Sequence, residues 1–435
     1  MKRAVVSDTA YVLAFFVLVI SAGTVLLCMP FSWRGQSSLR LIDALFTATS
    51  AVCVTGLSTV NTADFSLAGQ MVIMLLIQLG GLGIVSFTSL YLFMPGQRLP
   101  FRRLATIRSF SVEGVERDPR RIIRAILIFT FGIELIGALV LYPPLKAHGG
   151  FFSALFHSVS AFCNAGFSLY PDNLESFSAN TAVLVPVMAL ITLGGLGFIV
   201  LEDIWQLAIG RKRKLSFHSR LVLWGSFILI TGGAAMYFFL ERSGAFGSMG
   251  TGIAALNAFF QSVTTRTAGF DAVPQADLGS SSKMLTMLLM FIGGSPGSIA
   301  GGIKVSTAFV VLVAMIRKSG SDGEINVFKR RLTRTTINTA IVYFIKALFL
   351  LLLAILLLSV AESAIPIDSI AFEAFSAFGT VGLSLGITGS LTVFGKLIII
   401  ATMYIGRVGL LAFLFFGGSG WRTRIARPEA EILIG

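Results

Sequence analysis

Four short segments of this 435-residue chain share a composition suited to one kind of chemistry: Val54-Thr55-Gly56-Leu57-Ser58, Asn164-Ala165-Gly166-Phe167-Ser168, Thr267-Ala268-Gly269-Phe270-Asp271 and Thr380-Val381-Gly382-Leu383-Ser384. None presents a nucleophile beside a base. Each presents backbone built from small residues around a glycine, which accepts positive φ and permits close approach of other backbones. Carbonyl oxygens exposed on such loops can replace the water shell of a dehydrated alkali ion. With these glycines as origin, the residue ten places earlier is Phe46, Phe156, Phe259 or Phe372, and Gly80, Gly194, Gly293 and Gly406 follow 24 to 28 residues later. A match in register at four places is an internal repeat.

Those loops need elements to hold them. Hydrophobic residues make up 55% of the chain and charged residues 13%, against about 25% charged in a soluble domain. Apolar stretches of about 20 residues, enough to cross a bilayer, occur near 10–29, 70–94, 122–142, 181–209, 219–240, 284–316, 335–360 and 394–417. Between the members of each pair lies a segment too short to span: 43–58, 153–168, 256–271 and 369–384. Unpaired backbone at membrane depth is tolerated only where protein or water surrounds it, so four such segments predict a shared cavity. Each would begin as a half-helix whose C-terminal dipole end favours a cation. Gly80, Gly81, Gly83, Gly194, Gly195 and Gly197 lie inside long apolar stretches and read as helix-packing residues. The expected fold is an all-α integral membrane protein with eight transmembrane helices in four tandem helix, pore-loop, helix repeats. Its divisions are 1–94, 95–209, 210–317 and 318–420, with a short tail at 421–435.

The formal charge of +13 raises the question of a nucleic-acid partner, but its distribution answers otherwise. With the N-terminus in the cytoplasm, 24 of the 34 Lys and Arg fall on that side, in 1–3, 95–124, 211–220, 317–334 and after 420. That is the positive-inside pattern, so both termini are expected in the cytoplasm and no nucleic acid is expected. The runs Arg211 to Lys214 and Lys329 to Arg331 are topology signals first and lipid contacts second. The apolar stretch after Lys2 and Arg3 is read as a retained span, because no small-residue cleavage site follows it. Cys28, Cys53 and Cys163 match no disulfide or zinc spacing and read as packing residues. Asp64, Asp172, Glu175, Asp271 and Asp277 are expected to make the outer mouth electronegative.

Residues 284–316 as one helix would be roughly 50 Å long, against a hydrocarbon core of about 30 Å. Gly293, Gly294, Ser295, Pro296, Gly297, Ser298, Gly301 and Gly302 supply the break, so 293–304 is predicted to be a polar loop obstructing the ion path. Arg407 lies deep in the last stretch, where a charge is costly and usually functional. Lys304 is a second anchor of the loop, Arg266 is expected to brace the filter through neighbouring carbonyls, and Glu134 with Lys346 forms a candidate ion pair.

The four glycine segments, the run from Gly293 to Lys304 and Gly406-Arg407 together resemble the Trk/Ktr/HKT potassium transporter superfamily over nearly the whole chain. Overall length and the short tail look most like its bacterial Ktr membrane subunits. The resemblance implies a potassium-channel-like pore with potassium bound at Val54, Thr55, Gly56, Asn164, Ala165, Gly166, Thr267, Ala268, Gly269, Thr380, Val381 and Gly382. In this superfamily a serine at the first filter glycine accompanies sodium transport, so Gly56 implies potassium. It places Arg407 toward the pore, interacting with the loop at 293–304. It also implies residence in the cell inner (plasma) membrane and a homodimer. The dimer would dock on a separate cytosolic ring of nucleotide-binding (ATP/ADP-type) regulatory subunits of the KtrA kind. Potassium would be the substrate and sodium a candidate activator, with no cofactor in this chain. Two other classes compete. Broken helices also occur in alternating-access cation transporters, whereas a membrane enzyme is disfavoured because His148, His157 and His218 are widely separated and accompany no nucleophile or metal-ligand pattern.

Overall fold

A computed structural model of the chain describes residues 8–35, 38–93, 119–317, 325–327 and 330–408. The basic segment 95–118, Lys2, Arg3, Lys329 and the tail 421–435 lie outside the described residues. What is described is almost wholly helical. Grouped by the divisions expected from the sequence, the first unit comprises α1 (Asp8–Cys28), α2 (Leu41–Cys53) and α3 (Leu67–Phe93). The second comprises α4 (Pro119–Leu145), α5 (Gly150–Phe162), α6 (Thr181–Leu196) and α7 (Phe198–Ala208). The third comprises α8 (Phe217–Glu241), α9 (Thr251–Thr264), α10 (Ser280–Phe291) and α11 (Val305–Ile316). The fourth comprises α12 (Arg334–Ala361), α13 (Ile367–Gly379) and α14 (Val393–Val408).

One small departure from an all-α chain precedes α12. Strands β1 (Ile325–Val327) and β2 (Arg330–Leu332) pair antiparallel, with Ile325 opposite Leu332. The Ile-Asn-Val alternation fits a half-buried strand, and Ile325 and Val327 pack with Val310, Val311 and Ile337.

By length and composition, three helices among the described residues can each cross a bilayer: Ile126–Leu145, Phe217–Glu241 and Arg334–Ala361. The pair α6 and α7 qualifies together but is bent by 103°. Of the other expected spans, 10–29 and 70–94 fall on α1 and α3, 284–316 falls on the broken pair α10 and α11, and the continuation of α14 toward 417 lies outside the described residues. The chain is a multi-pass membrane protein.

The short helices α2, α5, α9 and α13 are the interior. Phe46, Phe156 and Phe372, each ten residues before its loop glycine, are fully buried. The third unit corrects the sequence alignment: Phe259 is 44% exposed, and Phe260 beside it is the buried ring. Unit three therefore has one residue fewer between its buried Phe and its glycine. The units close on one another in cyclic order: α3 packs on α5, α6 on α9, α10 on α13 and α14 on α2. An ion pair seals the last joint, with Lys396 Nζ on α14 2.8 Å from Asp43 Oδ1 in the first turn of α2, both buried.

Gly80, Gly194 and Gly406 are packing residues in an identical way. A methyl at each would collide with the carbonyl oxygen of Val52, Phe162 or Phe378, always the residue four before that unit's loop glycine. Gly197 departs from its expected packing role. It adopts φ 85° and ends α6, so 181–209 is not one helix. The long third-unit stretch is broken as expected, with residues 292–304 standing between α10 and α11.

Candidate functional site

Helices α2, α5, α9 and α13 end at the same kind of loop. In each, the residue two before the glycine has positive φ: Val54 at 55°, Asn164 at 56°, Thr267 at 71° and Thr380 at 50°. The glycines repeat the reversal at 97°, 69°, 73° and 102°. Three of the four non-glycine residues are β-branched, for which this region is a genuine outlier. Strain of about 1–3 kcal/mol per residue persists only where the surroundings over-determine it, and it clusters at functional sites.

What holds the strained loops is a hydroxyl on each pore helix. Ser50 and Ser376 accept the N–H of Gly56 and Gly382, each at 3.0 Å. Ser160 and Thr264 donate instead to the carbonyls of Phe167 and Phe270, at 2.7 and 2.8 Å. The hydroxyl sits six residues before the glycine in units one, two and four and five before it in unit three. Sequence reasoning missed these four residues; three align without a gap, and only Thr264 needs a gap of one to come into register.

The glycines themselves form a ring. A methyl on Gly56 would lie 2.7 Å from the carbonyl oxygen of Ala165, and one on Gly166 would lie 2.7 Å from that of Ala268. A methyl on Gly269 would run into the carbonyl of Val381, and one on Gly382 into that of Thr55. Each glycine thus abuts the residue preceding the next glycine, and the fourth abuts the first. Above Gly56 and Gly166 opens a cavity of about 250 Å³, lined in part by Ser58, Asn61, Ser168 and Asn173.

The broken segment at 292–304 is closed on itself and pressed against this ring. Gly293 N–H donates to the Ile303 carbonyl at 2.8 Å, and Val305 N–H to that of Gly294 at 3.0 Å. Gly301 has no room for a side chain because Thr380 lies against it, and the nearest side chain to Gly293 is Thr267. Ser295 and Ile299 are buried. Pro296, Gly297 and Ser298 meet the backbone at Gly197, and Ser295 N–H donates to the Gly195 carbonyl at 3.0 Å, so the two helix breaks interlock. Gly302 turns the chain with φ 63°. Lys304 Nζ donates to the Ala300 carbonyl at 2.5 Å. Arg407 joins the segment to α3, donating to the carbonyls of Ile299 and, at 2.5 Å, Gly80.

Three sequence expectations need correction. Arg266 does not reach filter carbonyls; its guanidinium donates to Ser226 Oγ on α8 at 3.1 Å, because its side chain leaves the loop toward α8. Glu134 and Lys346 are not a pair. Glu134 is buried and accepts from Gln78 Nε2 at 2.5 Å and from Cys163 Sγ at 3.6 Å, while Lys346 occupies an exposed face of α12. Cys163 is accordingly a hydrogen-bonding residue as well as a packing one, donating to Gln78 Oε1 at 3.1 Å.

Outside the ring, Asp172, Glu175, Asp271 and Asp277 act on one another. Burial raises the Asp271 carboxyl well above the ordinary carboxylate range, and the Glu175 charge adds to the rise. Burial also raises Glu175, with Asp172 and Asp277 contributing. Asp64 is exposed in the loop before α3.

Comparison with known proteins agrees with this architecture. The chain is 41% identical to the potassium/sodium uptake protein NtpJ of Enterococcus hirae, over 97% of this chain and 95% of that one. It is 38% identical to the Ktr system potassium uptake protein B of Bacillus subtilis, again over 97% of this chain and 95% of that one. The crystal structure of the potassium transporter TrkH from Vibrio parahaemolyticus superposes with a TM-score of 0.78, covering 97% of this chain and 87% of that one at 20% identity, and so shares the fold. The TrkH family model, described as cation transport protein, matches residues 1–417, and the chain belongs to that family.

Proposed function

We propose that this chain takes up potassium across the cell membrane through a filter made by its four glycine loops. The observation that carries the reading is the cyclic contact of Gly56, Gly166, Gly269 and Gly382, each abutting the next unit's carbonyl. Four backbones meeting at one axis, at the C-terminal ends of four pore helices, suit a dehydrated monovalent cation. The names of the two relatives, a potassium/sodium uptake protein and a potassium uptake protein, support potassium as the substrate; sodium is an activator in this reading. In this reading the chain is four helix, pore-loop, helix units with eight membrane crossings, both termini are cytoplasmic, and the units follow 1–94, 95–209, 210–317 and 318–420.

Residues 293–304 are the gate. The segment lies against Thr267 and Thr380 of the filter loops, and Arg407 ties it to α3. A separate cytosolic nucleotide-binding regulator and a second copy of this chain complete the transport system. The alternating-access reading draws on the 103° bend between α6 and α7, since interrupted helices accompany that mechanism.

The test is rubidium uptake and growth on limiting potassium in cells lacking their own uptake systems, with the chain compared to Gly56→Ser. Uptake by the parent and loss of potassium preference in the variant support the filter. No uptake, even with a regulatory subunit co-expressed, brings the alternating-access reading forward.

A further inference from the structure

Three residues before each loop-holding hydroxyl, on the same face of its pore helix, stands a second buried polar residue: Thr47, His157, Gln261 and Glu373, none more than 3% exposed. Three of them reach forward to the chain just beyond the filter loop. His157 Nε2 pairs with Ser168 Oγ at 3.0 Å. Gln261 and Gln275 exchange amide hydrogen bonds of 2.6 and 3.1 Å. The Glu373 carboxylate accepts Ser384 Oγ at 2.9 Å on one oxygen and Thr388 Oγ1 on the other. The targets recur as well: Ser168 and Ser384 lie two residues past their glycines, and Gln275 and Thr388 lie six past theirs. In unit one the Thr47 hydroxyl has no partner among the described residues.

Glu373 is the exceptional member. Its described hydrogen-bond donors are hydroxyls, and neither described ion pair includes it. Burying a carboxyl without a cation is costly, and at membrane depth such a group marks function. A packing role would be served by any apolar side chain of similar size. The two oxygens instead hold two points of the same outgoing loop, within which Ser384 also accepts Gly386 N–H at 3.0 Å.

We propose that this register of the pore helices is a brace behind the ion-coordinating ring, and that Glu373 is a specificity-determining positioning residue within it. Through Ser384 and Thr388 it fixes the outer end of the fourth loop, and hence the spacing of the carbonyls that discriminate one alkali cation from another. The inference rests on the filter reading above.

The test measures the ratio of rubidium to sodium uptake by the full chain in cells, alongside the amount of protein in the membrane. Glu373→Leu should lower the ratio by about tenfold, the change that losing one hydrogen bond to a charged group represents, without lowering membrane abundance. Ser384→Ala should shift it in the same direction by less, and Glu373→Gln, which keeps an acceptor, should restore most of it. Gly56→Ala reports on the underlying reading. If it changes the ratio while Glu373→Leu and Ser384→Ala do not, the loops select ions and the brace is refuted. If Gly56→Ala also leaves the ratio unchanged, the filter reading falls with it. Should Glu373→Leu fail to reach the membrane, Ser384→Ala decides, and an unchanged ratio overturns the proposal.

Discussion

Replacing the four loop glycines by alanine one at a time should give a graded series whose order follows from the ring. Every replacement forces an L-residue to positive φ, between 69° and 102°, at a cost of about 1–3 kcal/mol. The second cost differs. At Gly56 and Gly166 the new methyl meets the facing carbonyl at 2.7 Å, so a shift of roughly 0.3–0.5 Å relieves it, near the low end of the 1–3 kcal/mol typical of overpacking. At Gly269 and Gly382 the overlap with the facing carbonyl is greater. The combined penalty of about 2–6 kcal/mol is comparable with the whole stability of many proteins. Gly56→Ala and Gly166→Ala should therefore reach the membrane with reduced potassium preference, whereas Gly269→Ala and Gly382→Ala should lose uptake altogether. The injury falls on a neighbour: Gly382→Ala displaces Thr55 in the first loop. Rubidium uptake normalised to membrane abundance is the assay. Equal effects at all four positions, or milder effects at Gly269 and Gly382, would refute the ring geometry as the cause.

Other consequences can be checked directly. Lys396→Met should cost about 3–5 kcal/mol by leaving Asp43 buried and unpaired, and the Asp43→Asn, Lys396→Met double variant should recover most of it, as read by unfolding in detergent. Arg407→Gln releases the carbonyls of Ile299 and Gly80; it should raise rubidium uptake measured without a regulatory subunit, and unchanged uptake would remove Arg407 from the gate. Gly80→Ala drives a methyl into the Val52 carbonyl and should reduce the yield of folded protein in the membrane. External acidification should lower uptake at a pH above the ordinary carboxylate range, because Asp271 and Glu175 have raised pKa values and so gain protons early. The sign for stability is opposite: ionising these buried acids opposes folding, so stability at the outer mouth rises as pH falls through their raised pKa values. Asp271→Asn should flatten the uptake profile.

The loop glycines were legible because a backbone demand falls on one residue at one position. The break at 293–304 was legible from length alone, since no single helix of that extent fits a bilayer. Unit three hid its shorter spacing because Phe259 and Phe260 are adjacent, and a count of ten from Gly269 lands on the outward ring. Gly80-Gly81-Leu82-Gly83 and Gly194-Gly195-Leu196-Gly197 are nearly the same string, yet α3 runs through the first and α6 ends in the second. What differs is the company: Gly197 faces the backbone of Pro296, Gly297 and Ser298, a tertiary contact no local pattern records. The Asp43–Lys396 pair spans nearly the whole chain and leaves no local trace either.

The spacing of nine residues between Phe260 and Gly269, against ten in the other units, has a consequence for how such a ring can vary. Were the ring assembled from four identical chains, any deletion would strike every subunit at once, and the ring of loops would tolerate it everywhere or nowhere. Joined in one polypeptide, the quarters are free to drift apart. In one the loop-holding hydroxyl is Thr264, five residues before its glycine, where the others have serine six before, while the buried position three residues earlier is threonine, histidine, glutamine or glutamate in turn. Covalent linkage lets a near-symmetric opening become a lopsided one, with each wall altered separately while the glycines remain in step.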